Sequence, residues 1–214
     1  MSRFRVCIVD YKVGNLRSVE NAVRRLGYDA RVSDSADEVR RADALILPGV
    51  GAFGPAMQQL VASGLIGPIE AALALGRPLL GICVGMQLLA TDSEENGLHA
   101  GLSWVPGHVR RLRPPEGFGV PHVGWNDVTV RQPGSPLFSR VEAGAHFYFD
   151  HTYHLECAPE HTLATAAYGV TVTAAVQRDR VMGVQFHPEK SQAAGLRLLR
   201  GFFMAAGAPG PAPC

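Results

Sequence analysis

Short apolar runs alternate with amphipathic segments through the first half of the chain. Between the first two runs, apolar residues recur every three or four positions from Leu16 to Leu26, and Gly27 follows, which is typical of an amphipathic helix and its end. Strands that alternate with helices predict a parallel sheet covered on both faces, with ligands at the carboxyl ends of its strands. Buried strands are predicted over 6–10, 29–32, 44–47 and 79–82.

Prolines and glycines mark the further helices of this half. Pro55 and Pro68 stand where the first turn of a helix tolerates a missing N–H, and Gly64 and Gly76 stand where helices stop. The segment 35–38, Ser-Ala-Asp-Glu, has the pattern of a capping box and predicts one more short helix. We therefore expect an α/β fold with an open, mostly parallel central sheet flanked by helices.

From about Trp104 the pattern changes to short segments rich in Val, Thr, Tyr and Phe. These predict a strand-rich antiparallel portion, with a hairpin turn at 178–180 and a last helix over 191–204. We expect residues 1–204 to form a single domain and the Ala/Gly/Pro-rich segment 205–214 to be a flexible tail. The predicted strands are 109–112, 128–130, 146–153, 163–168, 173–177 and 181–186.

Composition narrows the possible functions. The chain has 214 residues, of which 47% are hydrophobic, and its 20 basic and 19 acidic residues leave a formal charge of +1. With a net charge so close to zero, no overall positive potential attracts nucleic acid or anionic lipid, so we expect the chain to bind neither of them. We also expect no membrane span and no signal peptide, because long apolar runs are missing. Four cysteines that lie far apart fit a reduced, cytoplasmic protein.

Cys83 lies in Gly-Ile-Cys-Val-Gly, between a predicted buried strand and a predicted helix that contains Leu88 and Leu89. This is the context of a G-x-nucleophile-x-G turn, whose glycines leave room for a tight, strained backbone. The helix N-terminus favours a thiolate and offers the N–H of Val84 to an anion on the substrate. The pentapeptide alone also fits a buried core cysteine, but its place after a strand favours a nucleophile.

A thiol nucleophile needs a base, and the base needs an acceptor that orients it. His187-Pro188-Glu189 follows a late predicted strand, whose end can lie at the same sheet edge as Cys83. Pro188 restricts His187 to an extended backbone, and Glu189 can fix the tautomer of the imidazole. A lone His-Pro-Glu is usually a turn; beside such a cysteine it indicates a catalytic triad.

The segment 47–54, Leu-Pro-Gly-Val-Gly-Ala-Phe-Gly, is a glycine-rich loop after a buried strand. Its glycines let backbone N–H groups turn toward a ligand, which suits the second half of an oxyanion hole. Taken by itself the loop is more simply a turn with positive φ angles. It does not have the G-x-G-x-x-G spacing of a dinucleotide loop.

These motifs together resemble those of a known family. The segment 81–87 and the His-Pro-Glu motif resemble the nucleophile and triad motifs of triad-type glutamine amidotransferases. The resemblance covers about residues 5–204. Four segments are, more narrowly, similar to the glutaminase subunits of imidazole glycerol phosphate synthases, enzymes of histidine biosynthesis: 10–19, 48–53, 121–126 and 183–191.

The resemblance implies that the chain hydrolyses L-glutamine to glutamate and ammonia through a thioester on Cys83. It implies a heterodimer in which the ammonia passes to a cyclase subunit with a (βα)₈ barrel. That subunit forms imidazole glycerol phosphate and an aminoimidazole carboxamide ribotide. No cofactor and no metal is expected.

The resemblance also assigns roles to single positions. The triad is Cys83, His187 and Glu189, and the oxyanion hole consists of the N–H groups of Val50 and Val84. The residues expected to hold glutamine are Gly51, Gln87, Glu95, His151, Thr152 and Tyr153, although Glu94 is an alternative to Glu95. The residues expected to face the partner and the ammonia exit are His122, Trp125, Asn126 and Tyr148.

Regulation is a further implication of the resemblance. In this family the glutaminase is nearly idle until the synthase partner binds its nucleotide substrate, and we expect the peptide at Val50 to be the switch. One position departs from the family pattern, since Asp150 stands where an apolar residue such as Val is usual. A carboxylate there could change the charge of His151 or reach solvent at an interface.

Other interpretations of the sequence remain. The chain could serve another synthase, such as the one forming anthranilate or pyridoxal phosphate, or be a catalytically silent regulatory module of the same fold. A silent relative is expected to have lost the triad, whereas all three residues are present. A metal site near His146 and His154 is disfavoured because these residues are too far apart along a strand.

Overall fold

The computed structural model describes residues 4–208, which form six α-helices and fourteen strands. The helices are α1 (Leu16–Arg25), α2 (Ala36–Arg41), α3 (Phe53–Ala62), α4 (Ile66–Ala74), α5 (Val84–Gln87) and α6 (Gln192–Ala205). The strands are β1 (Arg5–Val9), β2 (Asp29–Ser33), β3 (Ala44–Gly49), β4 (Leu79–Cys83), β5 (Asp92–Ser93), β6 (His99–Ala100), β7 (Gly107–Arg111), β8 (His122–Asp127), β9 (Thr129–Val130), β10 (His146–His151), β11 (Tyr153–Cys157), β12 (Thr162–Ala167), β13 (Thr171–Arg178) and β14 (Val181–Val184). Short 3₁₀ turns cover Pro136–Phe138, Pro159–His161 and Pro188–Lys190.

One eight-stranded sheet has the order β2-β1-β3-β4-β14-β13-β12-β9. Its first five strands are parallel, and the last three join them in antiparallel pairs. The other strands form the antiparallel pair β8–β10 and a four-stranded sheet of order β11-β7-β5-β6. The predicted α/β class, with a mostly parallel sheet and an antiparallel portion in the second half, is confirmed.

Burial explains why the central strands read as continuous apolar runs. Every residue of β3 and β4 is buried, as expected for parallel strands covered by helices on both faces. The helix α1 turns its apolar stripe of Val19, Ala22 and Val23 inward. The side chain of Asn15 accepts a hydrogen bond from the N–H of Ser18 and caps this helix.

The register of the sheet sets the position of the site. At the end of β3, Gly49 pairs with Cys83, and at the end of β14, Val184 pairs with Ile82. The loop after β3 and His187, which follows β14, therefore leave the sheet at the same carboxyl edge as Cys83. This is the edge where parallel sheets bind ligands.

Three glycines allow α5 to lie directly against the ends of β3 and β4. A Cβ on Gly85 would overlap the carbonyl oxygen of Leu47, and a Cβ on Gly81 would lie 2.6 Å from the carbonyl oxygen of Gly85. A Cβ on Gly49 would lie 2.6 Å from the Gly85 nitrogen. The backbones are packed so closely that only glycine fits at these positions.

The structure corrects several sequence predictions. The strand predicted over 146–153 ends at His151 as β10, and a second strand, β11, begins at Tyr153 and continues beyond the predicted range; the two pair with different partners, β8 and β7. The run gives no sign of this break because residues on both sides of Thr152 are typical of strands. Ser35 precedes α2, but its side chain makes no capping hydrogen bond. The helix after Cys83 ends at Gln87, before Leu88 and Leu89.

Three strands have no counterpart among the predicted elements. β5 and β6 have two residues each, too few for an alternating pattern, and β8 coincides with a segment that carries a motif but no strand prediction. At the carboxyl terminus, α6 reaches Ala205, one residue into the segment predicted to be a flexible tail, while residues 209–214 lie outside the described part. No helix within residues 4–208 has the length and apolar character needed to span a membrane.

We predict that Gly85→Ala lowers the free energy of unfolding by at least about 3 kcal/mol, because the new methyl group must displace the main chain of β3. The matched control is Gly67→Ala in α4, where an added Cβ meets nothing within 4 Å. That change should be neutral or stabilising by about 0.5 kcal/mol. Urea unfolding followed by circular dichroism measures both; equal effects would contradict the close approach described here.

Candidate active site

Cys83 occupies a sharp turn between β4 and α5. Its backbone has φ 55° and ψ −113°, a conformation that L-residues rarely adopt, and the residue is 4% exposed. Strain of this kind persists only where the surroundings hold it, here through the glycines on either side. Val84 is the first residue of α5, so its N–H is among the donors that a helix leaves unpaired at its start.

His187 and Glu189 form a buried pair beside this turn. The Nδ1 atom of His187 lies 2.8 Å from Oε1 of Glu189, and both side chains are less than 5% exposed. The main-chain N–H of His187 donates to the carbonyl of Tyr148 at 2.9 Å, which ties the pair to β10. The carboxylate thus orients the imidazole so that its Nε2 edge is available to Cys83.

The environment of His187 favours its protonated form. Burial lowers the pKa of His187, but hydrogen bonds to Cys83 and Glu189, together with their charges, outweigh burial and raise the pKa to about 10. At neutral pH the imidazolium therefore stands between a carboxylate and the sulfur. Such a neighbour stabilises a thiolate, the reactive form of cysteine.

A cavity of about 260 Å³ opens in front of Cys83. It contains every residue predicted to hold glutamine, both predicted oxyanion residues, and the cysteine and histidine of the predicted triad. Glu189 lies behind the histidine instead. The lining residues are Val50, Gly51, Cys83, Val84, Gln87, Glu95, Pro121, Asp150, His151, Thr152, Tyr153, His187 and Lys190.

The structure distinguishes the two neighbouring glutamates. Glu95 lines the cavity, and its Oε2 accepts a hydrogen bond of 2.7 Å from the N–H of Phe53 at the start of α3. The carboxylate of Glu94 turns away and accepts from the N–H of Arg111 at 3.0 Å. Of the two, Glu95 is the one placed where a bound ligand could meet it.

His122 and His151 form a buried pair on one side of the cavity. Nδ1 of His122 lies 3.0 Å from Nε2 of His151, and the His122 ring is stacked between Phe149 and Tyr168. His122 is only 2% exposed. The aromatic rings of Phe149 and Tyr168 cover the His122 side chain, so within this chain it offers little surface to a partner, and its role toward the partner and the ammonia exit stays a prediction.

The hydrogen bonds of this pair have one consistent direction. Asn126 donates through Nδ2 to the carbonyl of Ala167 and to Nε2 of His122, at 2.9 and 3.3 Å. At the other end, Nδ1 of His151 lies 2.9 Å from the carbonyl of Tyr153, which can only accept. Both rings are then neutral with hydrogen on Nδ1, in keeping with burial, which lowers the pKa of His122 to about 4 and that of His151 to about 3.

Asp150 does not act on His151. Their side chains point to opposite faces of β10, where His151 is buried and Asp150 exposed. The carboxylate of Asp150 reaches 4.0 Å from Nζ of Lys190, an ammonium that also lies over the ring of Tyr148. The departure from the family pattern therefore adds a charge at the mouth of the cavity.

Of the other predicted partner residues, two form an aromatic pair next to this mouth, in which Trp125 is exposed and Tyr148 is half-buried. Trp125 on β8 is opposite Tyr148 on β10, with ring centroids 6.1 Å apart in an edge-to-face arrangement. Trp125 is 48% exposed. Asn126 is half-buried, and its amide is engaged with His122.

Two buried polar residues in the site are absent from the sequence-based set. The hydroxyl of Tyr11 donates to the carbonyl of Pro48 at 2.7 Å and so supports the glycine-rich loop that carries Val50. Gln185 contacts Cys83. A signal exists in both cases: Tyr11 directly follows a buried strand, and Gln185 is a polar residue within an apolar run.

Comparisons with known proteins agree with this geometry. Residues 7–206 match the family model described as Glutamine amidotransferase class-I. The chain is 48% identical over 205 residues to imidazole glycerol phosphate synthase subunit HisH of Syntrophotalea carbinolica, covering 92% of this chain and 98% of that one. It is 46% identical over 207 residues to subunit HisH of Geobacter sulfurreducens, covering 92% and 97%.

Solved structures show the same fold at lower sequence identity. A putative GMP synthase subunit from Thermoplasma acidophilum is 19% identical with a TM-score of 0.72, covering 97% of this chain and 96% of that one. PurLQS from Thermotoga maritima is 19% identical with a TM-score of 0.73, covering 95% and 99%. At this identity the likeness concerns the fold alone.

We predict that NMR titration separates three buried histidines. The ring of His187 should stay protonated up to a pKa of about 10, whereas His122 and His151 should stay neutral from about pH 5 upward. Glu189→Gln should lower the pKa of His187, because it removes one of the charges that raise it. A His187 ring that titrates at its ordinary value in the unsubstituted chain would contradict the assignment.

The same pKa gives stability a pH dependence of known sign. Because folding raises the pKa of His187 from 6.5 to about 10, its protonation stabilises the folded state. This contribution is fully present below about pH 6.5 and is lost as the pH rises toward about 10. The difference in unfolding free energy between the unsubstituted chain and Glu189→Gln should therefore shrink over this range.

Proposed function

The chain belongs to the class-I glutamine amidotransferase family, and on this premise we propose that it is the glutaminase subunit of an imidazole glycerol phosphate synthase. In this role it hydrolyses L-glutamine to glutamate and ammonia for histidine biosynthesis. The observation that carries the proposal is that Cys83 and His187 line a cavity of about 260 Å³, with Glu189 behind the histidine, in a chain 48% identical to a HisH subunit.

The first half of the reaction is attack by the Cys83 thiolate on the side-chain amide of glutamine. Negative charge develops on the amide oxygen, and the N–H groups of Val84 and Val50 stabilise it. The imidazolium of His187 then donates its proton to the departing ammonia. Support comes from the raised pKa of His187, which keeps the acid charged at neutral pH.

The second half is hydrolysis of the thioester on Cys83. His187, now neutral, takes a proton from water, and the hydroxide attacks the thioester carbonyl; the C–S bond then breaks, which releases glutamate and restores the Cys83 thiolate beside protonated His187. Glu189 does not exchange protons in this scheme; it orients the ring and stabilises its charge. Its Oε1 is already 2.8 Å from Nδ1 of His187, so no rearrangement is needed.

Glutamine itself is held by the remaining cavity residues. Gln87 donates through Nε2 to the carbonyl of Tyr153 and to Oε1 of Gln185. Its amide oxygen is therefore free to accept a hydrogen bond from the ammonium group of the ligand. Glu95 supplies a carboxylate for the same ammonium. Gly51, His151, Thr152 and Tyr153 complete the walls.

The ammonia passes to a cyclase subunit, which we propose to be a (βα)₈ barrel in a heterodimer with this chain. The aromatic pair of exposed Trp125 and half-buried Tyr148 lies beside the cavity and is the proposed contact surface. Val50, also exposed and lining the cavity, is the proposed switch that responds to the partner and its nucleotide. The similarity to HisH subunits does not favour a synthase for anthranilate or pyridoxal phosphate.

We predict that Cys83→Ala abolishes glutamate release from glutamine, by at least about 1,000-fold, because no thioester can form. The assay contains both the cyclase and its nucleotide substrate, and the same reaction without them measures gating. Cys157→Ala is the matched control, since this half-buried thiol lies outside the cavity. Hydrolysis that survives Cys83→Ala would remove the mechanism, and equal loss in both variants would point to general damage.

We predict that Trp125→Ala weakens binding of the cyclase by about 2 kcal/mol, roughly 30-fold in Kd, as expected for an aromatic anchor of an interface. Leu75→Ala is the control, because Leu75 is 71% exposed and precedes β4, at the opposite edge of the sheet from Cys83. Isothermal titration calorimetry measures both affinities. A Trp125→Ala chain that binds as tightly as the Leu75→Ala chain would place the interface elsewhere.

A further inference from the structure

Gln185 is a completely buried amide next to the nucleophile. It follows β14, is 0% exposed, and its main-chain N–H donates to the carbonyl of Ala174 at 2.9 Å. The catalytic scheme above gives it no role. A buried amide costs free energy unless its polar atoms are hydrogen-bonded, so its partners indicate why it is there.

The polar atoms of the Gln185 amide contact the side chain of Gln87, which lines the cavity, and the sulfur of Cys83. Oε1 of Gln185 accepts from Nε2 of Gln87 at 3.1 Å, and Nε2 of Gln185 donates to Sγ of Cys83 at 3.9 Å, within the range of hydrogen bonds to sulfur. The amide therefore joins the glutamine pocket to the nucleophile. All three residues are at most 4% exposed, so little water competes for these bonds.

The direction of these bonds is fixed by a main-chain carbonyl. The oxygen of Tyr153 can only accept, so Gln87 must turn its NH₂ group toward it, at 2.8 Å. The same NH₂ group then donates to Gln185, which must present its oxygen. Gln185 is left with its own NH₂ group facing the sulfur of Cys83.

We propose that Gln185 is a positioning residue for Cys83: its amide N–H holds the sulfur and stabilises negative charge on it, while its amide oxygen fixes the side chain of Gln87. A hydrogen bond donated to a thiolate favours that form over the thiol. The proposal rests on the proposed function for the substrate, but its effect on Cys83 exists without glutamine.

Other charged and polar groups also lie near the sulfur of Cys83, and a test of Gln185 must leave them unchanged. His187 is its partner from the segment after β14, and the charge of Cys83 also acts on the buried hydroxyl of Tyr11, after β1. The main-chain carbonyl of Asp150 lies 3.9 Å from Sγ, and the Lys190 ammonium lines the same cavity. Substituting Gln185 leaves all of them in place.

The test is the pH dependence of Cys83 alkylation by iodoacetamide, measured by mass spectrometry of the Cys83 peptide from about pH 5 to about pH 10. In Gln185→Met the midpoint should move upward by about one pH unit, because a side chain of similar size lacks the donor. In Gln185→Glu it should move further, since a carboxylate faces the sulfur. With the cyclase present, kcat should fall at least about tenfold in both.

Gln177→Met is the matched control, because the amide of Gln177 serves only the hairpin turn, donating to the carbonyl of Asp179 at 3.0 Å. Its alkylation midpoint should equal that of the unsubstituted chain. An unshifted midpoint in folded Gln185→Met overturns the proposal. If that variant does not fold, as judged by circular dichroism, Gln185→Leu, which also lacks the donor and adds no charge, decides in the same way.

The two proposals fail separately. Glutamine hydrolysis that survives Cys83→Ala would overturn the proposed function whatever the alkylation curves show. If hydrolysis requires Cys83 but the alkylation midpoint is the same with and without Gln185, the proposed function is retained and the positioning role of Gln185 is rejected.

Discussion

The site depends on one close approach, that of the main chain of α5 to the end of β3. A Cβ on Gly85 would overlap the carbonyl oxygen of Leu47, so the approach exists only because this position has no side chain. The turn that joins β4 to α5 has a positive φ angle at Cys83, and Cys83 lines the cavity. The parallel register of β3, β4 and β14 then places the glycine-rich loop that carries Val50 on one side of Cys83 and His187 on the other.

Much of this could be predicted from the sequence because it is local. The buried strand before Cys83, the glycines around it and the extended His187-Pro188-Glu189 corner are each encoded within a few residues. The rule that parallel strands bind ligands at their carboxyl ends brings these segments together. The α/β class and the antiparallel second half followed from the change in hydrophobic period near Trp104.

What could not be predicted depends on contacts between distant segments. His122 lies in the segment 121–126, from which the sequence predicted a partner contact. Only the pairing of β8 with β10 places its ring between Phe149 and Tyr168. The strand break at Thr152 is set by two different pairing partners and not by a turn residue. Gln185 stands out as a polar residue in an apolar run, but its contact with Cys83 spans 102 positions.

The row from Asn126 through His122 to His151 has a consequence for the movement of protons. Both of its ends rest on main-chain carbonyls, those of Ala167 and Tyr153, which accept hydrogen bonds and release none. A proton therefore cannot enter this hydrogen-bonded chain at one end and leave it at the other, so the chain does not conduct protons. His151 thus lines the cavity with His122 behind it, and both rings are neutral, so neither is placed to act on protons in the way proposed for His187.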